Sequence, residues 1–158
     1  MKIDVRDNQT LIPIRRGEVK RLAERILAYF QVGKETCLNI VFLDDVQISD
    51  LHKRFLGREG PTDVLAFSMQ EGGPLRGETF LLGDIAISAE TALRHTKRFH
   101  TTVEGELALY VIHGILHLLG YDDHGKRSRM EMRRKERELL HRCQNGASRK
   151  VSITRSKG

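Results

Sequence analysis

The spacing of apolar residues changes repeatedly along this chain, and each change marks an element. Over Gly17–Val32, the residues Val19, Leu22, Ile26, Leu27 and Phe30 recur at helical spacing, which predicts a helix with one buried face. Thr36–Leu43 is apolar and β-branched and reads as a buried strand. Asp44 and Asp45 can cap a helix that runs from there to about Phe55. Lys2–Val5, Asp63–Met69 and Phe80–Ile87 are further strand segments. Gly57–Pro61 and Glu71–Gly77 are loops by their Gly and Pro content, the second one flexible. Ser88 is placed to cap a helix reaching about His100.

The second half reads as helical. Thr101-Thr-Val-Glu104 has the form of a capping box. The helix it opens, residues 102–119, carries Leu107, Val111, Ile115 and Leu118 along one face, with Ala108 and Ile112 beside them. This pattern predicts the central buried helix, ended by a C-cap glycine at Gly120. Ser128-Arg-Met-Glu131 is a second capping box, and the helix from it runs to about Cys143 and stops at Asn145-Gly146. The expected architecture is α+β, with about four strands and about five helices in one domain over residues 1–146. Residues 147–158 are small, polar and basic and are expected to form a disordered tail.

Composition adds limits. A chain of 158 residues with 39% apolar and 30% charged residues fits one globular domain. No run of eighteen apolar residues is present, so no membrane helix is expected. The first residues lack a signal-peptide core. Cys37 and Cys143 make no disulfide framework, and Cys37 reads as a small buried hydrophobe. A cytosolic location fits these features. The charge is uneven. Residues 1–125 hold 15 Lys and Arg against 18 Asp and Glu, while residues 126–158 hold 12 against 3. A basic C-terminal fifth suits an anionic partner such as nucleic acid, or is simply a solvated helix face.

The candidate chemistry sits at the end of the central helix. His113 and His117 are four apart, so both imidazoles stand on one helix face, one turn apart, and can reach one ion. The turn Gly120-Tyr-Asp-Asp then delivers His124 toward the same point. Three nitrogens leave one tetrahedral position open, which marks a catalytic zinc site. The pattern is similar to the zinc-peptidase sequence His-Glu-x-x-His, but Gly114 stands where those enzymes carry the glutamate base. Peptidase chemistry is disfavoured on that ground, and His52, His95, His100 and His141 are scattered and read as ordinary surface or boundary residues.

His113-Gly-Ile-Leu-His-Leu-Leu-Gly-Tyr-Asp122 resembles the hallmark of the YbeY family of endoribonucleases. Gly60-Pro-Thr-Asp-Val-Leu-Ala-Phe67 and Leu82-Gly-Asp-Ile-Ala-Ile-Ser88 are similar to two further family segments, in the family's order. The resemblance implies a mixed sheet and one zinc ion per chain. It also implies metal-dependent cleavage of single-stranded RNA, in 16S ribosomal RNA 3′-end maturation and ribosome quality control. The partners it implies are ribosomal RNA and the small ribosomal subunit. His113 and His117 take the positions of the first two ligands.

Two departures from the family matter. The family has Gly-Tyr-Asp-His, and here a second aspartate intervenes before His124. Either the turn bulges and His124 still binds, which is the expectation taken here, or Asp123 occupies the ligand position. Leu56 stands where the family commonly has an arginine facing RNA phosphate, so Arg54 or Arg58 is left to supply that contact. Asp122 and Asp123 are candidates to orient a water or brace a ligand histidine, beside their ordinary role in turns. Lys126 and Arg127, with Arg129, Arg133, Arg134 and Arg137 beyond them, are candidates for RNA phosphates. Others of these cations are expected to pair with Glu131, Glu136 and Glu138 along the helix. Thr62 and Asp63 read as a loop-to-strand junction and Asp84 as a backbone brace. Two alternatives stand beside the nuclease: a zinc peptidase-like hydrolase, and a non-catalytic ribosome assembly factor with a structural zinc.

Overall fold

The computed structural model describes residues 1–69 and 80–145. Along the chain run β1 (Lys2–Asp7), α1 (Arg16–Tyr29), β2 (Thr36–Leu43), α2 (Asp45–Leu56), β3 (Val64–Ser68), β4 (Phe80–Ser88), α3 (Ala89–Phe99), α4 (Val103–Leu118) and α5 (Lys126–Asn145). The strands form one sheet in the order β1-β2-β4-β3. β1, β2 and β4 are parallel, and β3 is antiparallel to β4, so the sheet is mixed. The expected α+β class, the strand number and the helix number all hold. The Glu71–Gly77 loop, the helix stop at Gly146 and the 147–158 tail lie outside the described residues.

Strand alternation sends Leu38, Ile40, Phe42, Ile85 and Ile87 to one face of the sheet, where α1 and α4 cover them. Ala86, Leu65 and Leu43 meet Ile48 of α2 on the other face. α4 is the central helix: Leu107, Val111, Ile112, Ile115 and Leu116 are all fully buried. Each such aliphatic side chain contributes roughly 1.5–3 kcal/mol of burial.

A shift of register opposite Cys37 and Leu38 places Leu82 and Gly83 of β4 together against one step of β2. Gly83 has φ 156°, and a Cβ there would meet the Phe67 carbonyl oxygen at 2.3 Å and Leu118 at 2.7 Å. Only glycine lets β3, β4 and the end of α4 close on one another.

The caps refine the sequence reading. Asp44 forms the full capping box with Gln47, accepting its backbone N–H at 2.8 Å. Asp45 lies inside the first turn instead and ties α2 to α3, accepting from Ser88, Thr91 and Arg94. Thr102, one residue later than expected, caps α4 through the Gly105 N–H at 3.0 Å. Thr101 is left free to donate to Glu106 at 2.6 Å. α5 starts two residues before Ser128, so the second capping box does not form. Gly125, at φ 96°, turns the chain straight into the helix, and its carbonyl accepts from Arg129 N–H at 3.1 Å. Cys37 is half-buried rather than buried, Cys143 is buried, and both are free thiols. Asp84 braces a side chain, not backbone: it accepts from Asn39 across β2 and β4 at 2.8 Å.

Candidate metal centre

α4 buries most of its circumference, yet His113 and His117 remain half-buried on the side turned toward α5. Their Nε2 atoms face each other at 3.0 Å. Two nitrogens at zinc-ligand distance from one ion, about 2.05 Å each and tetrahedrally disposed, lie about 3.3 Å apart. The observed separation is close to that without rearrangement.

The third member comes from the turn. Gly120, at φ 100°, donates its N–H to the His117 carbonyl at 3.1 Å, and Tyr121 N–H reaches the Leu116 carbonyl at 3.0 Å. These two bonds are a Schellman closure of α4. The Tyr121 ring then packs edge-on against Phe30 with centroids 6.0 Å apart, which anchors the turn to α1. Asp122 folds the next residues by accepting the His124 backbone N–H at 3.1 Å. The Asp123 carboxylate, so directed, joins His113 and His117 in one group whose ligand atoms lie within 4.8 Å of one another.

Among the described residues that group does not include His124, the expected third ligand. Its backbone serves the Asp122 turn, its side chain is exposed, and Gly125 leads the chain away into α5. Asp123, the rival position, is the residue brought to the histidines. Asp122 accepts the His124 N–H within the turn, and Asp123 stands in the group that could hold an ion.

Glu136 was expected to pair with cations along α5. Its carboxylate instead meets His113 Nδ1 at 2.5 Å. A carboxylate behind an imidazole holds the ring's orientation and keeps the proton on Nδ1, leaving the Nε2 lone pair toward the site. The signal was present in the sequence. Met132, Glu136, Leu139 and Cys143 recur at helical spacing, and an acid on an otherwise apolar face needs a partner.

Electrostatics separate the two imidazoles. Burial pushes His113 down, but the hydrogen bond and charge of Glu136, with Asp63 and Asp123 near, hold it above the ordinary histidine value. Burial and the neighbouring His113 push His117 below that value. One nitrogen-rich, carboxylate-flanked group therefore holds an imidazole poised as an acceptor beside one that attracts a proton. Two imidazoles and a carboxylate are a donor set that suits zinc and other divalent ions.

Gly114 gains a physical explanation. A Cβ at this position would meet Ile85 side-chain atoms at 2.8 and 3.0 Å. The position faces the sheet, not the histidines, so a glutamate there has neither room nor the direction to act on the site.

The remaining candidates are not members of this group. Arg54 is tied to Asp50 at 2.9 Å, and Arg58 is exposed in the loop after α2. Lys126 and Arg127 are exposed in the first turn of α5, with Arg127 3.8 Å from Glu131. Asp63 accepts Val64 N–H at 2.8 Å and gives its carbonyl to Ser88, as a junction residue does. His95 is half-buried, as a boundary residue is, and its Nδ1 meets the Tyr110 hydroxyl at 2.6 Å.

Known proteins resemble this chain over most of its length. A family model described as endoribonuclease YbeY matches residues 3–144. A protein named endoribonuclease YbeY from Pelotomaculum thermopropionicum is 43% identical over 128 residues, covering 80% of this chain and 84% of that one. Another of that name, from Syntrophus aciditrophicus, is 35% identical over 142 residues, covering 89% and 88%. A solution structure of a Thermotoga maritima protein aligns with a TM-score of 0.58 at 27% identity, covering 87% of this chain and 85% of that one. With two histidines of α4 on one side and sequence agreement over most of its length, this chain belongs to the YbeY endoribonuclease family.

Proposed function

We propose that this chain is a zinc-dependent endoribonuclease that cuts single-stranded RNA, with one ion held by His113, His117 and Asp123. The observation that carries the reading is the group itself: three donors gathered from a helix and its turn, with Glu136 locked behind one of them. When bound, the ion supplies Lewis-acid activation of water and of a phosphoryl oxygen.

The chain's own residues do the rest. Glu136 accepts the His113 Nδ1 proton and fixes the ring. Asp123 is exposed, so the group opens to solvent on the turn side, where an RNA phosphate can approach. Asp123 also brings a negative charge that a third histidine would not. It lowers the net positive charge of the loaded site by one and raises the need for cations nearby to receive phosphate. The proposed substrate is ribosomal RNA, at the 16S 3′ end and in ribosome quality control, with the small subunit as partner in the cytoplasm. Family membership supports those assignments, and no described helix is long and apolar enough to cross a membrane. The direction of Gly114 counts against the peptidase alternative.

The test compares zinc-loaded protein, chelated protein and His117→Ala on single-stranded RNA, on duplex RNA and on casein. The proposal expects single-stranded RNA alone to be cut, with the cutting lost on chelation and in the variant. Cleavage of casein alone contradicts it. Ribosome binding without cleavage of any substrate favours the assembly-factor alternative.

A further inference from the structure

α5 carries eight cations and three carboxylates, and its described ion pairs are not spread evenly. Arg127 faces Glu131 at 3.8 Å, Lys135 faces Glu138 at 3.1 Å, and Arg142 faces Glu138 at 3.9 Å. Glu131, Lys135, Glu138 and Arg142 are spaced by three or four residues, so these pairs run along one edge of the helix. The third carboxylate, Glu136, is committed to His113.

The opposite edge has cations without carboxylates. Arg129 and Arg133 stand seven and three residues before Glu136, the spacing that puts them on the same side of the helix as Glu136. That side leads from Glu136 toward the turn that carries Asp123. Arg137 stands four residues beyond Arg133 and extends the row. All three are exposed, and none has an ion-pair partner among the described residues. Four-residue steps along a helix set successive guanidinium roots about 6 Å apart along the axis. Lys126 continues the row at the helix start.

A row of solvated cations is common on helices, and the segregation is what sets this one apart. On the edge away from the histidines Glu131 and Glu138 pair with Arg127, Lys135 and Arg142, with Arg134 exposed among them, whereas the edge beside the histidines carries no acid but Glu136, which His113 holds. We infer that Arg129, Arg133 and Arg137 form a track for the phosphates of a single RNA strand, leading it along α5 to the metal centre. The occupant follows from charge complementarity and from continuity with the site: a polyanion with regularly spaced phosphates. Planar guanidinium groups suit phosphate in bidentate fashion. Arg127, by contrast, belongs to the neutralised edge. This inference rests on the endoribonuclease reading.

The experiment uses the full zinc-loaded chain and a fluorescein-labelled single-stranded oligoribonucleotide blocked by 2′-O-methyl groups. Binding is read by anisotropy across a salt series for wild type, for Arg129→Gln/Arg133→Gln/Arg137→Gln, and for the charge-matched control Lys20→Gln/Arg21→Gln/Arg142→Gln. Thermal melts establish that each variant is folded. For a single strand, every phosphate that is no longer neutralised reduces the slope of log affinity against log salt by about 0.7, so the triple variant should bind with a slope shallower by about two. Its affinity should fall at least about tenfold near 0.1 M salt, and the control should stay within about twofold. Cleavage of unblocked RNA should show a raised KM with kcat retained. The inference is overturned if the triple variant binds like wild type, if the control weakens as much, or if wild type does not bind. The two claims fail differently. Arginine-dependent binding without cleavage removes the endoribonuclease reading and leaves the track standing. Cleavage with an unchanged KM in the triple variant removes the track alone.

Discussion

α4 carries two clusters of titratable side chains, one near each end, and they behave oppositely. Near its start, buried Glu106 accepts from Thr101 at 2.6 Å, and Tyr110 meets His95 at 2.6 Å. Burial first, and then Glu106 and Asp63, hold the Tyr110 phenol far above its ordinary value, so it stays a neutral donor. Near the end of α4, two Nε2 atoms and a carboxylate converge in one group. A closed cluster satisfies itself, whereas an excess of acceptors at one point calls for a cation. The same helix thus shows how a structural polar group differs from a ligand group, and residue type alone does not make the distinction.

The largest expected effect breaks the open cluster. His117→Ala should abolish zinc-dependent RNA cleavage while the melting temperature of the chelated protein moves by only a few degrees, as read by a cleavage assay and circular dichroism. Next comes the residue behind the ligand. Glu136→Gln keeps the shape and removes the charge, and should lower zinc affinity or activity by about 10–100-fold. An unchanged zinc affinity in a competition titration would show that Glu136 does not support the site.

The closed cluster should respond in stability instead. Tyr110→Phe leaves the His95 nitrogen without its hydroxyl partner and should cost about 1–2 kcal/mol in urea unfolding. The cleavage rate per folded molecule should not change. A smaller effect tests another closed cluster, around Asp45. Burial works to raise this carboxyl, but hydrogen bonds from Arg94, Thr91 and Ser88 together hold it below the usual carboxylate range. Its folded pKa is below its unfolded one, so its stabilisation is present above the unfolded value and is lost as pH falls through the folded one. Asp45→Asn should therefore lose about 1 kcal/mol at neutral pH and lose less stability than wild type on acidification below about pH 4. Equal acid sensitivity in both proteins would remove Asp45 from that role.

The fold was legible wherever periodicity was strong. β2 lies at Thr36–Leu43 as its apolar run indicates, and the faces of α1 and α4 follow their spacing. Helix starts were less legible, because Thr101 and Thr102 are equally good caps by type: Thr102 takes the Gly105 N–H, and Thr101 donates instead to Glu106 five residues on. At the site, His113 and His117 followed from helix geometry alone. The third donor did not, because a turn has no period. Whether Asp123 or His124 points inward depends on the Asp122 hydrogen bond and on the left-handed glycines at 120 and 125. Glu136 was hidden for a different reason: its partner is 23 residues away, on another helix.

That turn holds the central claim, and zinc stoichiometry tests it most directly. Wild type, Asp123→Ala and His124→Ala would be loaded, desalted and measured for bound zinc by elemental analysis. The account predicts one zinc per chain in wild type and in His124→Ala, and little or none in Asp123→Ala. Zinc retained by Asp123→Ala and lost by His124→Ala would contradict it.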